Sequence, residues 1–225
     1  MRITAEQIQK ENESQKEIHG FAFDYLSNTL ECQGISVASI IEQIKAFQVA
    51  IPSWALGAGG TRFGRFSFYG EPSTLSQKLE DVGVLHALTK SAGAISLHIP
   101  WDIPEDYTAI KEQAKTLGLV FDAVNSNTFQ DQKGAKTSYK FGSLSSIDEA
   151  SRVQAITHNQ EVISIGKKLG SKSITVWLAD GANFPGQVNF QTAIQQTEKS
   201  LHQIYADLPK DWKMFIEYKP FEPNF

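Results

Sequence analysis

The chain has 225 residues, 41% hydrophobic and 20% charged, with a formal net charge of −4. This is the composition of an ordinary globular protein with one sizeable core, and its slight acidity argues against nucleic acid or an anionic membrane as a partner. The single cysteine, Cys32, excludes an internal disulfide, suits a reducing compartment and reads as a small buried or half-buried apolar residue.

From the N-terminus, Met1-Arg2-Ile3-Thr4-Ala5-Glu6 opens straight into a polar helical pattern without the apolar segment of a signal peptide. No later stretch approaches the roughly 20 apolar residues of a membrane span. A cytoplasmic protein is the resulting expectation. The first 32 residues read as one polar helix with Ile8, Ile18, Phe21, Tyr25 and Leu26 as its apolar members. A second helix covers about Ser36 to Ala46, striped by Ile40, Ile41 and Ile44. Phe47 to Pro52 reads as the first strand, followed by a long glycine-rich loop from Ser53 to Pro72.

A helix from about Ser73 to Lys90 opens with Thr74 and Gln77 at capping-box spacing. Ala94 to Pro100 is the second strand, and Pro104 suits the first turn of a helix reaching Leu117. Gly118 to Val124 is the third strand. A long helix from Ser146, in a capping box with Glu149, ends at Leu169 with Gly170 as its C-cap. Ser173 to Leu178 is the fourth strand, a loop runs from Ala179 to Val188, and a helix covers about Gln191 to Ala206. Trp212 to Lys219 is the fifth strand.

Strands that alternate with helices predict parallel βαβ units. Residues 1–46 form a helical extension and 47–225 carry strands one to five of a single domain. A doubly wound nucleotide fold would need a phosphate loop in the tight turn after the first strand. Gly57-Ala58-Gly59-Gly60-Thr61-Arg62 lies beyond that turn and has Arg62 where the third glycine belongs. A (β/α) barrel of TIM type instead expects functional residues at the C-terminal end of each strand. The strand ends supply Trp54, His98, Asn125, Asn127, Trp177, Asp180, Glu217 and Lys219. The expected fold is therefore an incomplete barrel, with about five of eight parallel strands.

Each candidate has a plain and a chemical reading. His98 is either a satisfied histidine under the rim, with Asp102 placed to orient it, or a proton carrier and hydroxyl partner. His19, His86, His158 and His202 fall on helices and read as surface or packing residues. Trp54, Trp177 and Phe129 are core residues or pocket walls. Arg62 and Arg65 could clamp an anion, although solvated charge fits them as well. Strand alternation puts Glu217 and Lys219 on one face, either as an ion pair or as a hard oxygen ligand for Mg²⁺ or Mn²⁺ beside an amine. A Schiff-base lysine at Lys219 is a further alternative.

The chain resembles the broad-specificity, metal-dependent L-rhamnose isomerases of the xylose-isomerase-like barrel superfamily. The resemblance is carried by the segments at 49–54, 59–63, 96–102, 121–129, 138–145, 183–187 and 211–213, including Leu97-His98-Ile99-Pro100-Trp101-Asp102 and Asn125-Ser126-Asn127-Thr128-Phe129. It runs through nearly the whole chain in the family's order and covers about the N-terminal half of a family member. It implies an aldose–ketose isomerase that interconverts L-rhamnose and L-rhamnulose by hydrogen transfer between C1 and C2. It also implies two divalent ions, commonly manganese, as Lewis acids and template. Glu217 would be a metal ligand, Lys219 and His98 catalytic, and Trp54, His98, Phe129, Trp177 and Lys219 sugar contacts. Tyr218 stands where the family usually has histidine. The family's other ligands come from three further strands, so the resemblance implies a truncated, inactive chain, with a sugar-binding or self-associating remnant as the alternative. A homo-oligomer is implied for the full-length family.

Overall fold

A computed structural model describes residues 3–57, 60–61, 64–65, 69–182 and 186–218. Lys219, Arg62 and most of the glycine-rich stretch around it lie outside the described residues.

The expected N-terminal helix is two helices, α1 (Ala5–Ser14) and α2 (Lys16–Cys32), followed by α3 (Val37–Ala46). Thr4 and Gln7 form a capping box at the start of α1. The break falls at Gln15, where the Ser14 hydroxyl donates to the Glu11 carbonyl at 2.8 Å and so competes for the acceptor of the next helical turn. Of the expected apolar members only Ile8 is buried; Ile18, Phe21, Tyr25 and Leu26 are exposed, and no residue of α2 is buried. Cys32 is exposed too, against expectation, because its helix packs no face into the core.

The first strand is shorter than its apolar run. β1 is only Ala50–Pro52, because Phe47 caps α3 and Val49 donates its N–H to the Ser91 carbonyl outside the ladder. Within the following loop lie a 3-10 turn (Ser53–Ala55) and a small hairpin of β2 (Gly60–Thr61) and β3 (Gly64–Arg65). Then come α4 (Leu75–Thr89), β4 (Ala94–His98), α5 (Tyr107–Thr116), β5 (Val120–Asn125), α6 (Glu149–Leu169), β6 (Ser173–Leu178), α7 (Phe190–Ala206) and β7 (Lys213–Tyr218).

Two helix starts differ from the sequence reading, each because an aspartate wins the cap. Asp106, not Pro104, opens α5 by accepting from the N–H groups of Thr108 and Ala109. Asp148, not Ser146, opens α6 by accepting from Ser151. A carboxylate at N-cap satisfies orphan N–H groups and also complements the positive end of the helix dipole. The expected capping box of Thr74 with Gln77 is present, as is Gly170 at the end of α6, with φ of 89°.

Five strands form one parallel sheet in the order β1-β4-β5-β6-β7, neighbours along the chain being neighbours in space. All their C-terminal ends therefore lie along one rim. Ile95 and Leu97 of β4, Val124 of β5 and Ile174 and Val176 of β6 are fully buried with Leu79 and Val82 of α4, Val162 and Ile163 of α6 and Ile204 of α7. Burial of each such side chain contributes about 1.5–3 kcal/mol. Alternation leaves Ser96, His98, Thr175 and Trp177 on the opposite face. Among the described residues no helix is long and apolar enough to cross a membrane.

Helix α6 packs closely on the sheet side at Gly166. A methyl placed there would lie 2.7 Å from Cη2 of Trp212 and 2.9 Å from Cγ2 of Val124. Gly166→Ala gains about 1 kcal/mol of helix propensity but overpacks the site at a cost of about 1–3 kcal/mol. The net expectation is a loss of about 1 kcal/mol, read as a lower urea midpoint with an unchanged slope.

Candidate functional site

Four of the residues picked out in the sequence meet at the C-terminal rim of the sheet. The turn that follows Pro52 carries Trp54, His98 is the last residue of β4, Phe129 follows β5, and Trp177 is next to last in β6. Trp54 meets His98 edge-to-face with ring centres 5.5 Å apart; His98 meets Phe129 at 5.7 Å; Phe129 meets Trp177 at 4.5 Å. Among the described residues a fifth ring joins the cluster. Trp101 stacks on His98 at 4.0 Å and lies edge-on to Phe129 at 6.2 Å. Its signal in the sequence was its place three residues after His98, beyond the strand and so beyond the reach of alternation.

The expectation that Asp102 orients the His98 ring is corrected. The Asp102 carboxylate accepts the backbone N–H of His98 at 2.8 Å, the Lys78 ammonium at 2.7 Å and the hydroxyl of Ser53. Lys78 is 3% exposed and Asp102 2%. This buried ion pair joins α4, the turn carrying Trp54 and the end of β4, so it positions two of the five rings through the backbone.

His158 of α6 acts from below. Its Nε2 accepts the Asn127 N–H at 3.0 Å, and the ring donates to the Ile99 carbonyl. Burial, the larger effect, pushes its pKa down from 6.5 to about 4, against the upward pull of the Ile99 carbonyl. The neutral ring thus staples the ends of β4 and β5 together. Asn125 adds a tie, donating its side-chain amide to the Leu97 carbonyl at 3.0 Å. Asn127 is fully buried.

Asp180 belongs to the scaffold. Its two carboxylate oxygens accept from the N–H and hydroxyl of Ser143, both at 2.8 Å, and from those of Ser145 at 2.8 and 2.7 Å. This ties the segment before α6 to the end of β6.

Glu217 is exposed on β7 and sits in register with Trp177. Residues in register on parallel strands point to the same face, so Glu217 shares the face of the aromatic cluster. The intended partnership with Lys219 lies outside the described residues. Among the described residues no three His, Cys, Asp or Glu side chains gather as metal ligands. One carboxylate falls well short of the octahedral oxygen set that Mg²⁺ or Mn²⁺ prefers. The described residues alone do not fit a two-metal centre.

No protein-family model matches the chain. It is 48% identical over 223 residues to a probable sugar isomerase of Rhizobium meliloti, a match that covers 99% of this chain and 52% of the relative. A probable sugar isomerase of Mesorhizobium japonicum matches to the same extent, at 48% over 223 residues. The chain thus spans about half the length of the curated relatives it matches. Among solved structures it is similar to D-allulose 3-epimerase from Methylomonas sp., with a TM-score of 0.55 and 11% identity over 79% of this chain and 54% of that one. It is similar also to the 3-keto-D-glucoside 4-epimerase of E. coli, with a TM-score of 0.51 and 12% identity over 76% of this chain and 55% of that one. The chain is a homologue of probable sugar isomerases, and it has the parallel α/β fold of sugar-epimerase barrels of TIM type.

Proposed function

We propose that this chain supplies one side of the sugar site of an aldose–ketose isomerase, with L-rhamnose and L-rhamnulose as the substrate pair. The observation that carries the proposal is the five-ring cluster on one rim. Apolar ring faces shed water and match the C–H faces of a sugar, and few polar groups among them set its orientation. In this reading Trp54, Trp101, Phe129 and Trp177 are the walls. His98 exchanges a hydrogen bond with a substrate hydroxyl, and Lys219 meets the reacting end. Glu217 would supply one ligand to a divalent cation, Mn²⁺ by preference. Such a cation would supply Lewis-acid chemistry at the carbonyl and the neighbouring hydroxyl. Its other ligands would come from outside the described residues, which by themselves offer the sugar its walls and not a complete metal site.

Tryptophan fluorescence tests this. L-rhamnose should shift the emission of the isolated chain in a saturable way, and more strongly than D-allulose. Phe129→Ala should raise the dissociation constant about tenfold, the equivalent of about 1.4 kcal/mol, comparable to one lost aromatic contact. No saturable response to any aldose or ketose would overturn the sugar site. L-rhamnulose formed by the isolated chain with Mn²⁺ would overturn the need for further ligands.

A further inference from the structure

Asn127 is wholly buried, yet neither the nitrogen nor the oxygen of its side-chain amide has a hydrogen-bond partner. Buried amides are nearly always paired, because an unpaired one forfeits two donor hydrogens and an acceptor that water would have satisfied. Asn125, two residues earlier, shows the ordinary case: its amide donates to the Leu97 carbonyl at 3.0 Å.

The backbone decides where the Asn127 side chain points. In a parallel ladder, the bond from the Ile99 N–H to the Asn125 carbonyl is followed by one from the Asn127 N–H to the Ile99 carbonyl. Here the His158 imidazole takes up that rung, accepting from Asn127 at 3.0 Å and donating to Ile99. Toward β6, the Ser126 N–H still donates to the Thr175 carbonyl at 3.1 Å. Asn127 therefore keeps strand alternation past the end of β5. It shares the face of Asn125, which is in register with His98 and Thr175, and it comes level with Trp177. That is the face of the aromatic cluster. Ser126, whose hydroxyl is also buried and unpaired, falls on the α6 side by the same alternation.

We propose that Asn127 is a specificity-determining residue that reads two neighbouring hydroxyls of the sugar. Its amide oxygen accepts from one hydroxyl and its amide N–H donates to the next. A carboxamide sets a donor and an acceptor side by side, and a vicinal pair of hydroxyls answers both at once. The sugar reaches the amide by parting the rings of Phe129 and Trp177, whose centres lie 4.5 Å apart. Ring faces hold a sugar without fixing its rotation, whereas a buried two-point contact fixes it. An amide left unpaired in the free protein costs stability, the kind of cost that binding sites carry for function. The inference rests on the sugar site proposed above and names the group within it that selects among sugars.

The test compares the 225-residue chain with Asn127→Leu and Asn127→Ala by fluorescence titration. The ligands are L-rhamnose and its 2-deoxy, 3-deoxy and 4-deoxy analogues. The parent should bind at least one analogue about tenfold more weakly than L-rhamnose, the effect of leaving a buried polar group unpaired. Both variants should bind L-rhamnose about tenfold more weakly and no longer distinguish it from that analogue. Asn127→Ala guards against a leucine that merely blocks the sugar. Asn127→Leu should melt no lower than the parent, since the amide it removes has no partner in the free protein. Melting several degrees lower would reveal a structural partner and overturn the inference. Variants that keep the parent's discrimination at whatever affinity overturn it too, as does a parent that binds every analogue as it binds L-rhamnose; in these cases the sugar site itself stands. A parent with no saturable response to any aldose or ketose overturns both.

Discussion

Asp102→Ala should destabilise the protein by about 3–5 kcal/mol, the cost of leaving a buried charge without its partner. Lys78, 3% exposed, would lose its carboxylate, while the Ser53 hydroxyl and the His98 N–H would lose their acceptor. A typical domain has only about 5–15 kcal/mol to lose. Replacing both partners with apolar residues of similar volume, as in Lys78→Met with Asp102→Leu, should cost less than the single change, since no buried charge is left unpaired, although the Ser53 hydroxyl and the His98 N–H still lose their acceptor. Urea unfolding of the single and double variants separates these cases: equal losses in both would show that packing, not the uncompensated charge, sets the cost. A second readout follows from the geometry. Because Asp102 holds the backbone of His98 and the turn of Trp54, its loss should also reduce the near-UV circular dichroism of the aromatic cluster.

Acidification should unfold the protein by way of His158. Its folded pKa of about 4 lies below the ordinary 6.5, so the unfolded chain binds the proton first. The stability due to the neutral ring is fully present above pH 6.5 and is lost as the pH falls through the window down to about 4. A shift of that size corresponds to about 3 kcal/mol. Protonation would also place a proton on the nitrogen that accepts the Asn127 N–H. His158→Gln should be less stable at pH 7 but lose less between pH 7 and 4, so the two stability curves converge in acid. Parallel curves across that range would show that other groups carry the acid sensitivity.

How much of this was legible in the chain itself varies by element. The alternation of strands and helices, the Thr74 cap and the Gly170 stop followed from periodicity and local backbone chemistry, both readable within a few neighbouring residues. The helix starts at Asp106 and Asp148 were missed because each segment offered two capping signals, and the choice depended on which one the chain's path brought into line. The exposure of α2 was equally hidden. A pattern of Ile18, Phe21 and Tyr25 states which residues are apolar, not whether another element covers them.

The sequence by itself determined the order of the parallel sheet and put Trp54, His98, Phe129 and Trp177 at strand ends, because strand period and turn residues are local properties. Only the tertiary structure decided how those ends are held. Lys78 reaches Asp102 across 24 positions, His158 reaches Asn127 across 31, Asp180 reaches Ser143 across 37 and Ser53 reaches Asp102 across 49. Such partners become neighbours only when the sheet forms and the helices settle against it. Asp102, expected to orient the His98 ring, and Asp180, expected among the functional strand-end residues, thereby become ties beneath and beside the aromatic cluster.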